Sequence, residues 1–156
     1  MTHRAYLGLG TNLGDRTANL NQAIDALQDN IGTLVKCSSY IHTMPQGFSS
    51  DNTFINAAAI FDTHLDPFQL LRATQDIERR LGRTTKSIDR HYADRIIDID
   101  ILFYGNLVLS TPELTIPHPL IAQRDFVLRP LAEIAPRKTH PQIHKTVAQM
   151  LLDITR

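Results

Sequence analysis

Asp94-Arg95-Ile96-Ile97-Asp98-Ile99-Asp100-Ile101-Leu102-Phe103-Tyr104-Gly105 decides how the rest of this chain is read. The run is rich in isoleucine and aromatics, holds no internal Gly or Pro, and stops at Gly105-Asn106. That composition predicts a β-strand entering a tight turn. Alternate residues of a strand share a face. Ile97, Ile99, Ile101 and Phe103 are therefore expected on one apolar face. Asp98 and Asp100 are expected on the other, between Ile96 and Leu102. Their Cα atoms would lie ~6.7 Å apart. On a helix the same two residues would diverge. A solvated polar strand face is the plain alternative, but the neighbours on that face are apolar and Asp forms strands poorly. Two adjacent carboxylates repel, and a divalent cation removes that cost. Mg²⁺ takes hard oxygen ligands, commonly one or two carboxylates together with substrate phosphates. Asp-x-Asp on a strand thus suits a Mg²⁺-phosphate platform, one that many phosphotransferases would share.

The remaining composition narrows the class. The chain has 156 residues, 42% hydrophobic and 21% charged, with 16 basic and 16 acidic side chains. This fits one soluble domain spanning 1–156 with a real core. Zero net charge supplies no global field for nucleic acid. One cysteine, Cys37, forms no internal disulfide, as expected in a reducing compartment. No apolar run reaches the roughly 20 residues of a membrane helix. The expectation is a cytoplasmic monomer that binds neither nucleic acid nor membrane.

Working outward, residues 5–9 read as a first strand, and residues 10–14 as a loop with Asp15 capping a helix. Leu20, Ala23, Ile24 and Leu27 follow at helical spacing, ending near Asn30 and Gly32. Gly8, Gly10 and Gly14 approach a dinucleotide-binding fingerprint, but the last spacing fails and no P-loop follows. Residues 34–43 and 53–61 read as strands, with a turn-rich loop at 44–52. Asn56 shares a face with Phe54, Ala58 and Ile60. An Asn in that company is either satisfied by backbone or reads a heterocycle.

Asp66-Pro67 starts a second helix, which runs to Leu81 with Gly82 as its stop. Gln75 and Glu78 share one of its faces. Residues 83–95 carry Arg83, Lys86, Arg90, His91 and Arg95, cations suited to phosphate. Residues 83–94 are expected to order over bound ligands. Gly105-Asn106 predicts a hairpin turn into Leu107-Val108-Leu109. His118 stands between Pro117 and Pro119, in a restrained backbone that suits a fixed donor. Residues 127–134 and 146–152 are expected to be helical. The resulting order, β-α-β-β-α-β with later additions, predicts an α+β ferredoxin-like sandwich. Its antiparallel sheet would carry helices on one face and leave the other to substrates.

Taken together, these residues resemble the 6-hydroxymethyl-7,8-dihydropterin pyrophosphokinase family of folate biosynthesis. The resemblance rests on Gly10-Thr11-Asn12-Leu13, Thr43 with Pro45 and Gly47, Asn56-Ala57-Ala58, and Gln75-x-x-Glu78. It continues through Gly82-Arg83, Arg95-Ile96-Ile97-Asp98-Ile99-Asp100-Ile101, Pro117-His118, Arg124-x-Phe126 and Pro130-Leu131. The resemblance implies transfer of the β,γ-pyrophosphoryl group of ATP to the pterin hydroxymethyl oxygen, leaving AMP. It implies two Mg²⁺ ions on Asp98 and Asp100, and catalytic positions at Arg83, Arg95, Asp98 and Asp100. It places Thr43, Met44, Gln46, Phe54, Asn56 and Phe126 at pterin positions. Gln75, Glu78, Arg83, Lys86, Arg95, Thr115, His118 and Arg124 fall at ATP positions. Where the family's lid often carries Arg-Trp-Gly-Pro-Arg, this chain has residues 90–95, with the correspondence fixed at Arg95. Met44 and Gln46 stand where Pro and Leu are common. From the residues alone, a two-aspartate nucleotidyl transferase and a non-catalytic ferredoxin-like binding domain remain open.

Overall fold

The structure, a computed structural model of the chain, describes residues 1–43, 53–82 and 96–155. The expectations placed on Met44, Gln46, Arg83, Lys86 and Arg95, and on the segment 83–94, lie outside the described residues.

Strand β1 (His3–Thr11) is followed by helix α1 (Arg16–Asn30) and then by β2 (Gly32–Cys37), β3 (Ile41–Thr43) and β4 (Phe54–Thr63). Helix α2 (Pro67–Gly82) leads to β5 (Asp98–Tyr104), and β6 (Leu109–Ser110) and β7 (Thr115–Ile116) come next. A 3-10 turn (Ile121–Gln123), helix α3 (Asp125–Ile134) and helix α4 (Val147–Thr155) complete the order. The main sheet runs β2-β4-β1-β5, with β3 also on β4, and all its pairs are antiparallel. This is the α+β architecture that the sequence predicts. The single strand expected over residues 34–43 is two strands, both paired to β4.

Local chemistry sets the helix starts. Asp15 accepts the Ala18 N–H at 3.1 Å, the N-cap bond. Asp66 and Gln69 exchange backbone N–H bonds at 2.8 and 2.9 Å, a reciprocal capping box with Pro67 at the first helical position. Leu20, Ala23, Ile24 and Leu27 are all buried, as their spacing requires. With Leu70 and Ile77 of α2 they cover one face of the sheet, against Leu7, Leu9, Ala57, Phe61, Ile97, Ile99 and Ile101.

The opposite face is not wholly open. Helices α3 and α4 pack over one end of it, around Ala58, Leu102, Phe103, Leu128, Leu131, Val147 and Met150. Phe103 therefore leaves the face expected for it. Leu7 pairs with Ile101 but Tyr6 pairs with Phe103, so Leu102 is an extra residue. Such a bulge sets two successive side chains on one side. Tyr104 takes the vacated place in the first core. A second correction concerns Gly105-Asn106. The turn forms, with Leu107 donating to Tyr104 O at 3.0 Å, but the strand after it pairs with β7 and not with β5. Leu109 and Ser110 find their partners in Ile116 and Thr115, which carries the chain towards His118.

Candidate active site

Strand pairing assembles the site on the second face, at the end that α3 and α4 leave uncovered. Gly10 of β1 pairs with Asp98 on one side and with Asn56 on the other. One row across three strands thus reads Asp98, Gly10, Asn56, and Ile41 of β3 extends it. Directly paired residues point to the same face. The next row reads Asp100, Gly8, Ala58. The aspartates are half-buried and face away from Ile97, Ile99 and Ile101. The expected carboxylate pair is thereby formed, with Asn56 about 10 Å away across two strand spacings.

A third carboxyl joins the pair. β5 is an edge strand, and Glu78 of α2 reaches it to accept the Ile99 N–H at 2.7 Å. Burial pushes the Glu78 carboxyl up to about 7. The Ile99 N–H works against that, while the charges of Asp98 and Asp100 add to it. Asp98 also lies within side-chain hydrogen-bonding reach of Glu78. Gln75 is exposed one turn earlier on α2.

His118 approaches from the far end of β5. Its backbone N–H donates to Leu102 O at 3.0 Å, and its Nδ1 accepts the Leu120 N–H at 3.2 Å. That bond fixes the neutral tautomer and leaves Nε2–H as the outward donor. Burial and then the Arg124 cation hold the His118 pKa below its ordinary value, with Asp98 opposing. Arg124 lies 5.5 Å from the centroid of the Phe126 ring, a cation–π distance. Residues expected at separate ATP and pterin positions are therefore in contact. Thr115 is exposed on β7, and no described hydrogen bond ties it to the aspartates. Thr43 pairs with Phe54 through the backbone, and Phe54 is half-buried one alternation from Asn56.

Sequence reasoning missed Arg16. Its Nη1 donates to both the carbonyl and the hydroxyl oxygen of Thr53, each at 2.7 Å. Thr53 leads directly into Phe54 and Asn56. A cation at the first residue of a helix opposes the helix dipole, and that mismatch was the available signal.

Two carboxylates on a β-strand, a buried amide in the same row as the first of them, and a fixed imidazole donor towards the far end of that strand suit an α+β enzyme of group transfer. A family model described as 7,8-dihydro-6-hydroxymethylpterin-pyrophosphokinase (HPPK) matches residues 6–136, and the chain belongs to this family. It is 46% identical over 138 residues to the 2-amino-4-hydroxy-6-hydroxymethyldihydropteridine pyrophosphokinase of Porphyromonas gingivalis, covering 88% of this chain and 93% of the relative. The Bacillus subtilis protein of the same description is 42% identical over 135 residues, covering 86% and 79%. A Plasmodium falciparum HPPK-DHPS crystal structure superposes with a TM-score of 0.78 at 17% identity. That match spans 98% of this chain but 45% of the longer one, and it speaks for the fold. Among the described residues no helix is long and apolar enough to cross a membrane.

Proposed function

We propose that this chain transfers the β,γ-pyrophosphoryl group of ATP to the hydroxymethyl oxygen of 6-hydroxymethyl-7,8-dihydropterin, giving the pterin diphosphate and AMP in folate biosynthesis. The observation that carries the reading is the row Asp98–Gly10–Asn56, which joins a phosphate-side carboxylate to a ring-side amide on one rigid sheet. The family match supplies the reaction class.

Each group has a task. The Asn56 amide reads the polar edge of the pterin, with Phe54 and Phe126 against its ring faces. On the family resemblance Thr43, Met44 and Gln46 also serve the pterin. Phosphoryl transfer consists largely of charge stabilisation and in-line positioning. The bond that forms joins the hydroxymethyl oxygen to the β-phosphorus; the one that breaks joins that phosphorus to the α,β-bridging oxygen. His118 Nε2–H and the Arg124 guanidinium donate to phosphate oxygens, with Thr115, Gln75 and Glu78 on the nucleotide side. Arg83, Lys86 and Arg95 add cations there.

Asp98 and Asp100, two oxygen donors on one strand face, suit a hard divalent cation whose other ligands come from phosphate and water. Among the described residues no group of three or more His, Cys, Asp or Glu gathers to hold an ion without them. Asp98 and Asp100 would hold two Mg²⁺ ions together with the ATP phosphates, and the bound ions would neutralise phosphate charge and polarise the transferred group. In this reading residues 1–156 act as one domain, as a monomer, in the cytoplasm.

Incubation with ATP, Mg²⁺ and 6-hydroxymethyl-7,8-dihydropterin should yield AMP and pterin diphosphate in equal amounts. Release of inorganic pyrophosphate instead would favour nucleotidyl transfer and overturn the assignment. Full turnover in excess chelator would remove the metal from it.

A further inference from the structure

The three glycines of the first strand and loop do not form a nucleotide fingerprint, and the structure gives each a different reason. Gly14 has a φ of +66°, a left-handed backbone that glycine adopts without strain. A Cβ on Gly8 would meet the Leu102 methyls at 3.4 Å, so Leu102 already fills the space above it. Gly10 is different. A Cβ there would stand 2.8 Å from Asn56 Oδ1, with Phe54 Cδ1 at 4.0 Å. The first distance is shorter than carbon and oxygen tolerate; the second is ordinary contact.

Asn56 has little room to yield. It is 7% exposed, and among the described residues no buried side-chain nitrogen or oxygen lacks a hydrogen-bond partner. Turning the amide away from a Cβ would therefore exchange its present partners for others. Gly10 also occupies the middle of the row between Asp98 and Asn56. A flat ring held at Asn56, with its hydroxymethyl group reaching towards Asp98, must pass over this position. Any side chain here would enter that path.

We propose that Gly10 is a specificity-determining position: by carrying no side chain it sets the orientation of the Asn56 amide and keeps a bare floor for the flat heterocycle. The proposal rests on the pterin-side assignment of Asn56 given above. It assigns Gly10 no contact with the transferred phosphates.

The test is a double-mutant cycle of Gly10→Ala and Asn56→Ala. The readouts are pterin binding in the presence of a non-hydrolysable ATP analogue and, separately, binding of that analogue. Asn56→Ala should weaken pterin binding at least about tenfold. Gly10→Ala should weaken it similarly, with analogue affinity unchanged within about twofold. In the Asn56→Ala background, Gly10→Ala should add less than about threefold, because the group it disturbs is gone. Gly8→Ala, whose Cβ would first meet the flexible Leu102 side chain at 3.4 Å, should bind pterin normally. An unaffected Asn56→Ala variant would overturn the pterin-side assignment itself. A damaged Asn56→Ala with an unaffected Gly10→Ala would overturn the present inference alone. Full additivity would overturn the setting of the Asn56 amide by Gly10, and an equal loss of analogue affinity would overturn the inference whole. If Gly10→Ala fails to fold, recovery of folding in the double variant supports the collision with Asn56, and absence of recovery refutes it.

Discussion

Replacing Glu78 by Gln should remove a pH dependence from the stability of the metal-free protein. Glu78 accepts the Ile99 N–H at 2.7 Å and lies within side-chain hydrogen-bonding reach of Asp98. Protonated Glu offers one donor and one acceptor, and Gln offers both permanently. The substitution thus keeps both contacts and deletes the titration. Burial first, then the neighbouring aspartates, raise this carboxyl from 4.5 to about 7 in the folded protein. Between those values the native state holds a proton that the unfolded chain has lost, so stability falls as pH rises. The contribution is fully present below about pH 4.5 and gone above about pH 7. Between pH 5 and pH 8 the loss is on the order of 2–3 kcal/mol before screening. Solvent reaching this half-buried side chain brings it to roughly 2 kcal/mol or less. Urea unfolding in chelator at pH 5 and pH 8 measures it. The native protein should lose that much more stability across the interval than Glu78→Gln, and saturating Mg²⁺ should shrink the difference. Parallel pH profiles for the two proteins would refute the reasoning.

Asp98→Asn and Asp100→Asn should each lower kcat/KM at least about a hundredfold, the loss expected when metal-held charge stabilisation of several kcal/mol is removed. Their melting temperatures should stay level or rise, since a repulsive pair is relieved; near-normal turnover would sink the assignment. Arg16→Ala should destabilise by about 1–2 kcal/mol, because the two hydrogen bonds to Thr53 outweigh the relief of a cation at a helix start. Its pterin KM should rise several-fold with little change for ATP, whereas unchanged stability would show that the contact with Thr53 is idle. His140 accepts the Gln142 and Ile143 N–H groups on Nδ1, each at 3.1 Å. Burial, with His144 and Lys138, holds its pKa below 6.5. Its contribution is complete above about pH 6.5 and is lost as pH falls through the lowered folded value. His140→Asn should accordingly flatten the acid limb of a stability profile, and an unchanged limb would contradict this account.

Much of the protein is written in local pattern. A period of two fixes the isoleucines of β5 and forces Asp98 and Asp100 to the other face. A period near 3.6, with Asp15 and Asp66-Pro67, fixes α1 and α2. These are interactions between residues close along the chain, so the sequence alone carries them. Together with the ordered motifs from Gly10 to Leu131, they suffice for the family.

What needs long-range pairing was not legible. A bulge depends on the register of two distant strands, so the alternation through Phe103 could not disclose that its ring turns to the second face. The strand after Gly105 carries good hairpin chemistry, yet its partner is β7, since turn residues fix a reversal but not what pairs beyond it. Arg16 and Thr53 lie 37 residues apart and meet only because α1 and the start of β4 converge. The resemblance put Glu78 on the ATP side, but only the edge of β5 brings its carboxyl beside the two aspartates. Gly10 is the sharpest case. By itself a glycine reads as backbone freedom, whereas here its meaning lies in its neighbours across the sheet. Only the register places Asp98 on one side and Asn56 on the other, and turns the missing side chain into space for a ligand.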